Sequence, residues 1–398
     1  MSVQLPSSPL SRLWNALSDD VEALRDRQLC RTLSTIEAID GTAVRINGQW
    51  LTSWCANDYL GLSTHPRVIE AACAAARQWG TGARASRLLT GNTAVHAQLE
   101  TQLAAFFRAE AALMFSSGYL ANLGVLTALL GPGDVVLVDR LAHASLIEAC
   151  RASRATLRVF SHHHVDQVAE LLARYPATRR RMVVTEGLFS MEGDVSPLSE
   201  LHAVAQAHEA LLYVDDAHGA FALGPTGRGS PEVAGIAHDS LLYMGTLGKA
   251  LGCQGGFVVG PQILIQFLLN RARPFIYSTA LAPPIVAAAL AALELVQRDP
   301  APRLRLAQNV QRLRARLLAL GEFHVAAAHQ ILPLVVGSSD RACELAGRLR
   351  QAGMFVPAIR PPTVPEGTAR LRLSVSALHT DQHVDRLAEA LSVLLPAT

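Results

Sequence analysis
A chain of 398 residues, half hydrophobic and 17% charged, can bury a large core, which excludes a disordered segment and points to two domains or one large domain with an appendage. A formal net charge of +2 is too small to imply nucleic acid or an anionic membrane as partner, although Arg179-Arg180-Arg181 is a local basic patch that suits an acidic protein, a CoA phosphate or simply a solvated loop. The six cysteines are scattered without a Cys-x-x-Cys pair, so they read as reduced, mostly buried thiols of a cytoplasmic protein; neither an export signal nor an apolar run long enough to span a membrane is present.

In chain order, residues 10–29 predict an amphipathic helix. Ala43–Ile46 and Trp50–Trp54 flank Asn47-Gly48, a hairpin signature. A helix is expected from about His65-Pro66, followed by a loop rich in Gly and Arg from Gly80 to Arg87. Seven short apolar strands then follow: Ala112–Phe115, Val135–Asp139, Leu157–Phe160, Met182–Glu186, Leu211–Asp215, Leu241–Met244 and Phe257–Gly260. Most are separated by helix-length segments. That alternation predicts an α/β fold with a mostly parallel sheet, whose ligands gather at the carboxyl ends of the strands. Beyond Asp299-Pro300-Ala301-Pro302 the period changes to long helices and three strands, Ile331–Val336, Phe355–Arg360 and Ala369–Val375, as expected of a smaller α+β domain.

Of the 35 Lys and Arg residues only Lys249 is lysine. Arginine stays protonated, whereas a buried lysine amine can lose its proton and act as a nucleophile, so the single lysine is a candidate covalent catalyst. A lone solvated cation in a turn is the plain alternative. The strand-to-helix turn Ser116-Ser117-Gly118-Tyr119 offers backbone N–H groups to a phosphate. Asp215 and His218 follow one strand, and His143 follows another; separately, each fits a helix cap or a structural histidine. Together with Lys249 they meet the needs of pyridoxal 5′-phosphate: an amine, a carboxylate for the ring nitrogen, a phosphate cradle and a flat group to pack on the ring.

Over nearly its whole length the chain resembles the α-oxoamine synthase family of fold-type-I pyridoxal phosphate enzymes, on the stretches Asn57–Gly61, Thr185–Asp194, Val214–Gly219 and Gly245–Lys249. The resemblance implies condensation of an amino acid with an acyl thioester and loss of carbon dioxide. It also implies an N-terminal helix and hairpin over residues 1–60, a large cofactor-binding domain over 61–298 with a seven-stranded sheet flanked by helices, and a small domain over 299–398. The segment Ala358–Pro365, with Gly367–Arg372, looks most like the branch that uses L-alanine and a pimeloyl thioester, on CoA or acyl carrier protein, in biotin synthesis.

By the same resemblance Lys249 anchors the cofactor and Asp215 pairs with its ring nitrogen. His218 and Ser190 bond its phenolic oxygen, Thr246 and the backbone of Gly118 and Tyr119 hold its phosphate, and His143 stacks on its ring. Asn57 and Arg360 grip the amino-acid carboxylate, Thr363 lines the substrate pocket, and Arg25, with Arg27 as a neighbouring rival, meets the acyl substrate. Ser278 and Thr279 reach the phosphate of a partner subunit, which implies a homodimer. Two departures stand out: Arg84 where a small residue is usual, and His162-His163-His164 where His-Asn-Asp is usual. Three consecutive histidines in an extended strand cannot all face one ion, so a loop cluster and no metal are expected there. A glycine C-acyltransferase or another synthase of the family is the rival enzyme, and a catalytically silent partner subunit is the non-enzyme alternative.

Overall fold
The computed structural model describes residues 9–27, 29–175, 179–319 and 328–395. Its centre is a seven-stranded sheet of β1 (Ala111–Phe115), β2 (Val135–Asp139), β3 (Thr156–Phe160), β4 (Arg181–Glu186), β5 (Leu211–Asp215), β6 (Leu242–Thr246) and β7 (Gly256–Gly260), in the order β1-β7-β6-β5-β4-β2-β3. All are parallel except β7, which runs against both its neighbours. Uninterrupted apolar runs form these strands because both faces are covered. In β2, Val135 and Leu137 enter one core cluster and Val136 and Val138 the other, and all four are 0–1% exposed. Burial on that scale stabilises the fold by about 1.5–3 kcal/mol for each such side chain. The carboxyl ends of β2, β4, β5 and β6 consequently meet on one edge.

Around this sheet the elements follow the sequence reading closely, with three corrections. The run expected as one strand from Phe355 to Arg360 is two, Met354–Phe355 and Ala358–Ile359. Pro357 lacks an N–H and interrupts the ladder between them. The first piece pairs in parallel with Gln49–Ser53 of the N-terminal hairpin, and the second pairs antiparallel with Ala369–Ser374, which also pairs with Ile331–Gly337. The hairpin turn itself has Asn47 at φ 52° and Gly48 at φ 74°, the left-handed pair that an Asn-Gly turn supplies.

The second correction is at the N-terminal helix, which covers Pro9–Asp26 and stops short of Leu29, because the N–H groups of Leu29 and Cys30 fold back onto the carbonyl of Leu24. The third concerns the thiols. All six cysteines are free, but Cys150 alone is buried, and Cys73 lies on the solvent face of the helix Pro66–Trp79. Among the described residues no helix is long and apolar enough to cross a membrane.

Candidate active site
Lys249 lies in the tight turn that joins β6 to β7. Backbone bonds from Leu247 N–H to Gly255 O (2.9 Å), Cys253 N–H to Leu247 O (2.9 Å) and Gly252 N–H to Lys249 O (2.8 Å) close the turn on itself. Gly252 has φ +65°, and a Cβ there would stand 2.3 Å from the backbone nitrogen of Ser63, so the turn needs glycine. Gly256 plays the matching part on β7: its added Cβ would sit 2.7 Å from Gly118 Cα. The start of helix Gly118–Leu129, capped by Ser117 Oγ accepting from Leu120 N–H at 3.2 Å, is thereby seated directly on the sheet edge.

Lys249 opens onto a cavity of about 120 Å³ whose walls include Gly118, Tyr119, His143, Asp215, His218 and Thr246. Asp215 is buried, and its carboxylate accepts from Asn122 Nδ2 at 2.7 Å and Ala217 N–H at 3.0 Å. Asn122 in turn donates to Ser145 Oγ (2.9 Å) and accepts from Tyr213 OH (2.8 Å). His143 is held at its backbone and its ring: its backbone N–H donates to Glu186 Oε1 at 2.7 Å, and Ser145 Oγ lies 2.7 Å from its Nδ1. Thr246 Oγ1 donates to Gly255 O (2.7 Å) and accepts from Gly248 N–H (3.1 Å).

The second wall is a buried polar chain. His218 Nδ1 lies 2.6 Å from Tyr59 OH, Tyr59 OH lies 3.2 Å from Asn57 Oδ1, and Asn57 Oδ1 takes N–H groups of Arg372 at 3.3 and 3.4 Å. Arg372 also donates to Ser190 O (2.5 Å) and Ser374 Oγ (3.0 Å). The residue is 7% exposed, yet among the described residues it forms no ion pair, whereas Arg370 on the same strand pairs with Glu192 at 3.1 Å.

The charges here bias protons in one direction. Burial lowers the amine of Lys249 below the usual lysine range; Asp215 and Glu186 pull it back, and Arg372 lowers it further. Burial also pushes Glu186 well above the usual carboxylate range, reinforced by Asp215. His218 is driven well below the usual imidazole range by burial and by the cations Lys249 and Arg372, and is therefore neutral. Burial lowers His143 as well, against the pull of Asp215.

Not every expected residue faces this cavity. Ser190 contributes its carbonyl to Arg372, and Arg360 ends the strand Ala358–Ile359, outside the cavity walls. Thr363 accepts from Arg31 at 3.2 Å and lines a separate cleft of about 650 Å³ beside Leu24, Arg27, Arg140, Met191 and Val364. Arg27 lines that cleft, but Arg25 pairs with Glu22 at 2.9 Å on the exposed side of its helix. Ser278 and Thr279 are not among the residues that line the Lys249 cavity; Thr279 is bridged to Ser86 and its carbonyl is taken by Ser116 Oγ. Sequence reasoning gave no role to Asn122, Glu186, Tyr59 or Arg372. A lone asparagine inside the largely apolar helix Gly118–Leu129 was a readable sign; the others sat inside quoted motifs.

Comparison with known proteins decides the family. The family model described as aminotransferase class I and II matches residues 50–391. The 8-amino-7-oxononanoate synthase of Anaeromyxobacter dehalogenans strain 2CP-1 is 48% identical over 377 residues, 95% of this chain and 94% of that one. That of Geobacter metallireducens is 42% identical over 381 residues, 95% and 97% of the two chains. The chain belongs to the class I and II aminotransferase family, among the 8-amino-7-oxononanoate synthases. Among solved structures, the serine palmitoyltransferase of S. paucimobilis, with bound PLP, superposes at TM-score 0.91 with 30% identity over 97% of this chain and 98% of that one. The 8-amino-7-oxononanoate synthase of Francisella tularensis superposes at 0.75 with 28% identity over 86% and 96%. The chain is a pyridoxal-phosphate-dependent enzyme of fold type I, and the residues at the strand ends fit that cofactor: one primary amine, the buried carboxylates of Asp215 and Glu186, the imidazoles of His143 and His218 and a helix N-terminus face a single cavity.

Proposed function
We propose that the enzyme condenses L-alanine with a pimeloyl thioester, releasing carbon dioxide and the thiol and forming 8-amino-7-oxononanoate for biotin synthesis. The observation that carries this reading is the identity of 42–48% over about 95% of the chain to enzymes of that name, joined to a buried arginine that pairs with no carboxylate among the described residues and stands beside the single lysine. A buried cation without a counter-ion is costly, and a substrate carboxylate removes that cost.

When bound, pyridoxal phosphate supplies an electron sink for negative charge at the amino-acid Cα. Asp215 keeps a proton on the ring nitrogen, and Asn122 orients Asp215. The Gly118 and Tyr119 N–H groups, with Thr246, receive the phosphate, and His143 packs on the ring. His218, whose Nδ1 lies 2.6 Å from Tyr59 OH, would meet the phenolic oxygen with its Nε2. Lys249, its amine made less basic by burial, takes the Cα proton and later returns one. Arg372 with Asn57 grips the carboxylate, the part first expected of Arg360. The cleft lined by Leu24, Met191, Val364 and Thr363 takes the acyl chain, and Arg27, not Arg25, meets its charged end.

Ser278 and Thr279 serve a partner subunit's phosphate, so the working unit is a homodimer. The exposed apolar stripe Leu10, Leu13, Trp14, Leu17, Val21 and Leu24 of the first helix supports an assembly of that kind. A turnover assay of alanine, glycine and serine against pimeloyl, acetyl and palmitoyl thioesters tests the reading. Alanine with the pimeloyl donor is expected to give the highest kcat/KM. Preference for glycine or serine would overturn it in favour of a sister activity.

A further inference from the structure
We infer that the chain carries a site for a divalent transition-metal ion of the zinc class, built by His162, His163 and Asp194 and separate from the Lys249 cavity. In an extended strand adjacent side chains diverge. Here His163 adopts φ +60°, which brings its ring alongside that of His162, with centroids 3.7 Å apart and planes 29° apart. His164 turns away and caps the next helix, its Nδ1 accepting from Gln167 N–H at 3.2 Å. Both remaining imidazoles face one carboxylate: His162 Nε2 lies 3.1 Å and His163 Nδ1 3.9 Å from Asp194 Oδ2. One donor atom from each of the three falls within 4.8 Å of the others. Two imidazoles and a carboxylate form the donor set of a three-ligand zinc site whose fourth position is left to water.

The surroundings match such a site. Asp139, wholly buried at the end of β2, holds His162 Nδ1 at 3.0 Å and takes the His163 N–H at 3.3 Å. A carboxylate behind a histidine fixes the tautomer that presents the opposite nitrogen to a metal. Among the described residues Asp194 Oδ1 is buried with no hydrogen-bond partner, which leaves a second carboxylate oxygen free for a cation. Phe189 closes the edge, its ring perpendicular to His162 at 4.5 Å.

The site ties the turn after β3 to the loop that carries Ser190, whose carbonyl accepts from Arg372, and Met191 and Glu192, which line the large cleft. A metal there acts as a tether that holds the cleft wall, with no part in bond making.

The test is calorimetric titration of untagged, chelator-treated holoenzyme with Zn²⁺, repeated with Co²⁺ followed by its visible d–d absorption. One equivalent per chain is expected to bind at roughly micromolar affinity or tighter. His163→Asn keeps a residue that tolerates the left-handed backbone, so it is expected to fold, with an unchanged melting temperature in the absence of metal, and to lose the d–d bands. Asp139→Asn is expected to weaken binding by about 10–100-fold. No stoichiometric binding to the wild type, or equal affinity and equal Co²⁺ spectra in His163→Asn, would overturn the proposal.

Discussion
Arg372 stands out among the charged side chains because it is buried without an acid among the described residues, held by Asn57, Ser190 and Ser374. Arg372→Gln removes the charge offered to a carboxylate and is expected to raise KM for alanine about 10–100-fold, in line with roughly 1.5–3 kcal/mol for a hydrogen bond to a charged group. Steady-state kinetics at saturating acyl donor read this directly. An unchanged KM would return the carboxylate to Arg360.

Lys249→Arg keeps a cation but loses the nucleophilic amine, and kcat is expected to fall by at least about 10³-fold while the fold persists. Lys249, Asp215, His218 and His143 were legible because each sits at a strand end and has a residue type that the chemistry requires. Arg372 was harder to see. On Ala369–Ser374 two arginines alternate with leucines, a pattern that reads as a solvent face, yet the whole strand is buried. Only its pairing between two other strands settles that, and pairing is a long-range property.

Among the elements, the strand-to-helix junction carries the most functional strain. A Cβ on Gly256 would meet backbone atoms of Ser117 and Gly118 at 2.7 Å, and backbone cannot swing aside as a flexible side chain can. Gly256→Ala is expected to cost about 1–3 kcal/mol of stability and to weaken cofactor binding, because it pushes the helix N-terminus off the sheet edge. Gly131→Ala, whose added carbon meets nothing within 4 Å, is expected to stay within about 0.5 kcal/mol of wild type. Denaturant melts and cofactor titration of both variants check the contrast. The seven central strands were readable from apolar run length alone, with ends displaced by one or two residues. The split of 355–360 into two strands was not: Pro357 signalled a break, but which sheet each half would join depends on partners about 300 residues and about 10 residues away.

For the molecule as a whole, acid should act through buried neutral histidines. His379 stacks on Trp54 at 3.8 Å, accepts Ser376 N–H at Nδ1 (2.9 Å) and faces Ser53 O with Nε2 (3.0 Å), a pattern that only the neutral ring satisfies. Burial pushes it down to about 4, and His96 and His238 are likewise lowered to about 4, chiefly by burial. A base whose pKa is depressed in the fold lends stability above its unfolded value near 6.5 and loses it as the pH falls towards 4; for His379 that amounts to about 3 kcal/mol. His379→Gln is expected to narrow the gap between urea midpoints at pH 7 and pH 5, and an unchanged gap would rule out this residue as a source of acid sensitivity.

The most direct measurement on the whole enzyme is borohydride reduction of the pyridoxal-phosphate-loaded protein, followed by peptide mapping. With one lysine in the chain, the pyridoxyl group is expected on Lys249 and nowhere else, and L-alanine added before the borohydride should protect it. A label on the α-amino terminus, or no label at all, would contradict Lys249 as the covalent anchor and with it the proposed chemistry.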